Sequence, residues 1–194
     1  MDDIVQSDWV ENPGESSSSY IQPLLNAQIE MLAGHLIDDT GIQYNASKYV
    51  EITGDFDVKA FTEAVRRAVA AIEAIRVTIE QDEHGAYVQR INKMDDYKIP
   101  FIDLSAAENP ATEAEDLMWE MSARPFDLAS GPLFRWAVLS LSPQRHYWLM
   151  IYHHIVTDGW SDILTSQLIA SLYGSILSGE AKSANIEDIL TNLK

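Results

Sequence analysis

Two apolar runs, Phe134–Leu141 (FRWAVLSL) and His146–His153 (HYWLMIYH), separated only by Ser142–Arg145, constrain the fold of this chain more than any other feature. Each is rich in aromatic and β-branched residues and has the length of a strand. Runs this apolar belong inside a layered domain. The second run ends in HHIVTDG, residues 153–159, and a helix-like stretch (WSDILTSQLIASLYGSIL) follows at once. Charged and polar chemistry therefore gathers where an apolar strand gives way to a helix.

The rest of the chain reads as alternating elements. Residues 1–19, with Pro13, Gly14 and the run Ser16 to Ser19, have the composition of a flexible acidic and Ser-rich leader. From Ile21 to about Ile37, Leu24, Leu25, Gln28, Met31, Leu32 and Leu36 recur at helical spacing. Ser47–Thr53 (SKYVEIT) alternates as a strand does. Phe61, Ala64, Val65, Ala68, Val69 and Ile72 form one helical stripe. Ile75–Glu80 and Ala86–Ile91 predict a hairpin turning at Asp82–Gly85. Glu113–Ala123 predicts a short helix, with Leu117, Met118 and Met121 facing inward, and Arg124–Phe134 an ordered connector. Trp160, Ile163, Leu164, Leu168, Leu172, Tyr173 and Ile176 line a last helix, which Gly179 can end in the left-handed conformation. The order predicts an α+β domain, a mixed sheet covered by helices, over residues 20–180, with residues 181–194 as a tail or linker.

Composition excludes several classes. A formal net charge of −17 argues against binding nucleic acid, which needs a basic face. The chain has no cysteine, so disulfides and thiolate metal sites are ruled out. No apolar stretch reaches the roughly 18–20 residues of a membrane span, and the acidic opening is not a signal peptide. A cytoplasmic location is the default expectation.

On a strand, successive side chains point to opposite faces. His153 would thus share a face with Leu149 and Ile151, and His154 with Met150 and Tyr152. One histidine can be packed while the other projects into a channel, a geometry that also counts against both binding one metal ion. Asp158 is placed to cap the following helix or to pair with an arginine, and Gly159 to give the loop a backbone conformation that costs other residues energy. The alternative is a buried, hydrogen-bonded histidine pair beside an ordinary helix cap.

The heptad resembles the HHxxxDG signature of the condensation domains of nonribosomal peptide synthetases, with every fixed position filled. Three further segments carry the resemblance. FDLASGPLFR (126–135) is similar to the family's approach to its active-site strands. IEAIRVTI (72–79) resembles the motif RHExLRTxF, with Glu73 and Arg76 matching and Ile72 in place of histidine. NAQIEML (26–32) resembles the first family motif through Ala27 and Gln28. The run from Tyr49 to Arg76 is similar in style to the starter-type domain of enterobactin-like synthetases, which serves siderophore biosynthesis by joining an aryl acid to serine.

The resemblance implies a chloramphenicol-acetyltransferase-like lobe and an amide-forming acyltransfer. His154 would be catalytic. His153, Asp158, Gly159 and Arg76 would support the motif, with Asp158 paired to Arg76. Both substrates would arrive as thioesters on the phosphopantetheine of carrier proteins upstream and downstream, with no metal or cofactor on the domain itself. The matched segments belong to the family's amino-terminal lobe. A second lobe of comparable size and a neighbouring adenylation domain are implied partners, and the lobe alone is expected to turn over little, since positioning is a large part of such catalysis. Two other readings stand beside this one: a different HxxxD acyltransferase that uses coenzyme A or a carrier, and a non-catalytic module that docks carrier domains.

Overall fold

The structure, a computed structural model, describes residues 19–179. The expected leader, apart from Ser19, and the expected tail lie outside the described residues. Among the described residues, seven strands and four α-helices follow in the order β1 (Tyr20–Pro23), α1 (Asn26–Ile37), β2 (Asn45–Thr53), α2 (Val58–Ala71), β3 (Val77–Gln81), β4 (Tyr87–Ile91), β5 (Phe101–Asp103), α3 (Pro110–Ser122), β6 (Phe134–Ser142), β7 (Arg145–His153) and α4 (Gly159–Leu177).

The two apolar runs form β6 and β7, an antiparallel pair at the centre of a four-stranded sheet of order β2-β7-β6-β5. Both faces of these strands are covered, and the alternation of side chains sorts them into two cores. Phe134, Trp136, Val138, Trp148, Met150 and Tyr152 pack with the stripes of α2 and α4. Ala137, Leu139, Leu141, Tyr147, Leu149 and Ile151 pack on the other side with α3, the connector and the hairpin. At about 25 cal/mol per Å2 of apolar surface removed from water, these two layers are the main source of stability.

Local chemistry explains the helix starts. Asp57 accepts hydrogen bonds from the amides of Lys59 and Ala60 at 2.9 and 3.0 Å and so opens α2. Pro110 occupies the first turn of α3, where its missing N–H costs nothing. The helix thus begins three residues before the sequence predicts. The expected hairpin is present. Asp82 Oδ1 accepts from the amides of His84 and Ala86, and Gly85 takes φ +78°. The last helix is followed by Gly179 at φ +77°, as expected.

The expected mixed sheet is the four-stranded one, in which β5 runs parallel to β6, and β3 and β4 pair with β1 in a second, three-stranded antiparallel sheet of order β1-β4-β3. Two expectations need correction. Ile21 lies in β1 and not in a helix; Pro23 is tolerated there because β1 is an edge strand. Trp160 and Ile163 do not line the core but stay 64% and 46% exposed. They lie off the buried stripe Thr165, Leu168, Ile169 and Leu172, which, with Tyr173 and Ile176 at its margin, faces the sheet and α2. Strand β5, parallel to β6, has no counterpart in the sequence reading. At three residues it is too short to show a period.

The connector 126–134 ties the two sheets together. Leu128 accepts from the amide of Ile79 at 2.7 Å, and Leu133 from the amide of His153 at 2.9 Å. Gly131 has φ +55°, and a Cβ there would stand 2.7 Å from Thr78 Cγ2. Only glycine fits both demands.

Candidate active site

The site is built where β7 ends. His153 is its last residue, and His154–Val156 form a single 3-10 turn leading through Thr157 and Asp158 into α4. Two backbone bonds hold the junction. The amide of His153 donates to Leu133 O, and that of His154 donates to Tyr44 O at 2.9 Å. Gln28 of α1 adds a third tie: its Nε2 donates to Ile155 O at 3.2 Å while its Oε1 accepts from the amide of Leu25 at 2.9 Å. One buried glutamine thereby caps α1 and pins the loop.

The two histidines part as the alternation predicts. His153 is fully buried. Its Nδ1 accepts from the amide of Ile155 at 3.1 Å, and its Nε2 lies 3.3 Å from His35 Nδ1. Since Nδ1 is an acceptor, the neutral ring carries its proton on Nε2 and donates it to His35. The rings of His35, Tyr44 and Phe126 surround it. Burial first, and then the neighbouring histidines, lower its pKa to about 4. This imidazole stays neutral and packs.

His154 is exposed. Its Nδ1 is 3.2 Å from Thr157 O. A carbonyl can only accept, so the neutral ring carries its hydrogen on Nδ1 and leaves Nε2 as the basic atom. The ring lines a small open cleft of about 80 Å3 with Lys48, Tyr152, Asp158, Gly159 and Asp162. An imidazole in a fixed tautomer with a free basic nitrogen can take a proton from an attacking nucleophile.

Asp158 caps α4: its Oδ1 accepts from both the amide and the hydroxyl of Ser161 at 2.7 Å. These bonds, the hydroxyl's first, hold its carboxyl below the usual range. The expected pair with Arg76 is not formed. Arg76 donates from Nη1 to Asn92 O at 2.5 Å, and Asn92 Nδ2 returns a bond to Arg76 O at 3.0 Å. Arg76 therefore serves the start of the hairpin, while the carboxylate it was expected to neutralise is satisfied by local donors. Gly159 also differs from expectation. Its φ is not positive, and a Cβ there would meet nothing within 4 Å. It is simply the first residue of a helix at the cleft, where a missing side chain keeps the mouth open.

Lys48, Tyr152, Asp162 and His35 have no site role in the sequence reading. Strand parity puts Tyr152 on the face of His154, but without a role there. Nothing local says that β2 pairs with β7, Lys48 opposite Met150, or that α1 brings His35 to His153.

Comparison with known proteins now bears on the class. The profile of the family described as "Condensation domain" matches residues 18–188, and the chain belongs to that family. It is 32% identical over 161 residues to a dimodular nonribosomal peptide synthase of Bacillus subtilis (strain 168), covering 82% of this chain and 7% of that protein. It is 33% identical over 159 residues to an isonitrile lipopeptide synthase of Streptomyces coeruleorubidus, covering 82% of this chain and 11% of that one. Among solved structures, the starter condensation domain of rhizomide synthetase, as a mutant in complex with C8-CoA, superposes with TM-score 0.76 at 29% identity, over 82% of this chain and 36% of that one. The first condensation domain of the calcium-dependent antibiotic synthetase, with a substrate analogue, gives 0.76 at 28% identity, over 82% and 38%. The α+β architecture is thus that of the chloramphenicol-acetyltransferase-like condensation domains. The chain spans little more than a third of these solved chains.

Proposed function

We propose that this chain is the histidine-bearing lobe of a nonribosomal peptide synthetase condensation domain, and that it helps form an amide between a carrier-bound acyl donor and a carrier-bound aminoacyl acceptor. The observation that carries this reading is His154, exposed at a cleft with Nδ1 engaged by Thr157 O. The acceptor's amine attacks the thioester carbonyl carbon; a C–N bond forms, the C–S bond breaks, and the carrier's thiol leaves. His154 Nε2 takes the proton that the nitrogen sheds and returns it to the departing sulfur. His153 sets the turn that aims His154, and Asp158 starts the helix beside it. Arg76 braces the neighbouring hairpin, and Gly159 leaves the cleft open. The substrates come on phosphopantetheine arms, so the domain itself needs no cofactor. A second lobe, flanking carrier proteins and an adenylation domain are the partners this reading requires, and the starter-type likeness makes an aryl acid a donor to try first.

The test is amide formation between two loaded carriers by the synthetase polypeptide that contains this lobe, with and without His154→Ala. Loss of on the order of 100-fold or more is expected for a proton-transfer residue; an unchanged rate leaves only the docking-module reading. Residues 1–194 alone should give little product, because one lobe does not enclose both arms. A coenzyme A-borne acyl group is worth a parallel arm, since the rhizomide relative was solved with C8-CoA.

A further inference from the structure

The sequence marks Gln28 only as a motif match, and the structure gives its side chain three polar partners. It is 8% exposed. Its Oε1 accepts from the Leu25 amide at 2.9 Å, which turns Nε2 away from the helix start. There Nε2 donates to Gln89 Oε1 of β4 and to Ile155 O, both at 3.2 Å. Gln89 is held in turn, since its own Nε2 donates to Pro23 O at 3.0 Å. A backbone N–H at one end of this chain of bonds and a backbone carbonyl at the other fix which way both amides point.

His35 stands seven residues further along α1, two turns and about 10 Å away on the same face. It meets His153 Nε2 at 3.3 Å. One helix thus grips the chain on both sides of His154: the side chain before it through His35, the carbonyl after it through Gln28. The Ile155 amide is engaged as well, by His153 Nδ1 at 3.1 Å. With both backbone groups of Ile155 bonded and the residue buried, the turn cannot rotate without stranding a polar group away from water. Its own backbone bond, Thr157 N to His154 O, is long at 3.4 Å. The shape of the turn therefore depends on the grip, and so does the place of Thr157 O, which meets His154 Nδ1.

We propose that Gln28 is a positioning residue: with His35 it clamps the turn around His154 so that the ring keeps its hydrogen on Nδ1 and presents Nε2 to the thioester. Gln89 braces the clamp from the small sheet. This rests on the proton-transfer reading of His154, and the closing experiment separates the two.

The experiment reads the tautomer of His154 in the full chain by two-bond 15N–1H correlation spectra at about pH 8, above the range of an ordinary histidine, with the signal assigned by His154→Ala. The parent should show the Nδ1–H form in excess. Gln28→Met keeps the length of the side chain and removes its hydrogen bonds. It should lower the ratio of Nδ1–H to Nε2–H about fivefold, the worth of one neutral hydrogen bond. In the synthetase it should lower kcat for amide formation about tenfold while KM for both loaded carriers stays at the parent value. Asp57→Ala, which removes the cap of α2, should cost stability of the same order and move neither readout. Should Gln28→Met fail to fold, Gln89→Met takes its place, with a fall in the ratio of about twofold. A parent tautomer ratio in either glutamine variant overturns the clamp and leaves His154 its role, and so does a rise in KM at constant kcat. An equal shift in Asp57→Ala also overturns it, since loss of stability alone would then explain the effect. If instead His154→Ala leaves amide formation unchanged, the proton-transfer reading falls, and the clamp loses its purpose with it.

Discussion

Two adjacent residues, His153 and His154, sit in opposite kinds of surroundings. Around His153, β7, α1, the residue before β2 and the connector close into a buried knot, in which each polar atom of the ring meets a partner. Around His154 there is an open cleft with one ring nitrogen engaged and the other free. The same imidazole is packed and held neutral in the first place and keeps an open ring nitrogen in the second. Burial sets the difference, because it penalises the charged form and fixes the ring. The knot also serves the cleft: the bond from the Ile155 amide to His153 shapes the turn on which His154 stands.

Substitutions can break this contrast. The largest effect on stability should come from His153→Ala, which leaves a void and strands both His35 and the Ile155 amide. A loss of about 3 kcal/mol in urea denaturation is expected, and a loss under about 1 kcal/mol would mean the knot is not closed. Acid should expose the same burial. The folded His153 titrates near 4 while an unfolded histidine titrates near 6.5, so between those values the unfolded chain takes up a proton that the folded one refuses. Stability is full above pH 6.5 and falls as the pH drops towards 4, by about 3 kcal/mol from this group. Parallel urea titrations of His153→Gln should show that much less pH dependence over the same window.

Gly131→Ala should cost about 1–3 kcal/mol, since it adds a Cβ against Thr78 in a left-handed backbone; the melting temperature checks it. Asp158→Ala should cost about 1 kcal/mol, as loss of a helix cap does. Its effect should add to that of Arg76→Ala, because the two side chains do not meet. Non-additive losses in the double mutant would restore the ion pair. Smallest of all, His154→Ala should change stability by less than about 0.5 kcal/mol, even though the proposed role requires it to slow amide formation on the order of 100-fold or more.

Much of the fold could be read from local pattern. The stripe of α2 and the turn at Gly85 are cases where short-range chemistry and tertiary need agree. The misreadings share a cause. Residues 20–25 have apolar positions compatible with a helix, but β4 offers an unpaired edge, and four residues of pairing with it win. Trp160 and Ile163 are apolar without being core, a choice made by where α2 ends and the cleft begins. The site shows the same division. Parity along β7 assigns His153 and His154 to opposite faces. The Asp158–Arg76 pair fails because each side chain found nearer partners, Ser161 and Asn92.

By itself the amino-acid order determined the two-faced central hairpin, the separation of the histidines and the helix that follows them, since periodicity and capping act within a few residues. Only the tertiary structure decided which histidine is sealed, that Gln28 and His35 of α1 reach the loop from more than a hundred positions away, and that Lys48 and Asp162 close the cleft floor. Those contacts depend on strand pairing and helix docking, which are set by the packing of two whole layers and leave no periodic mark in any one segment.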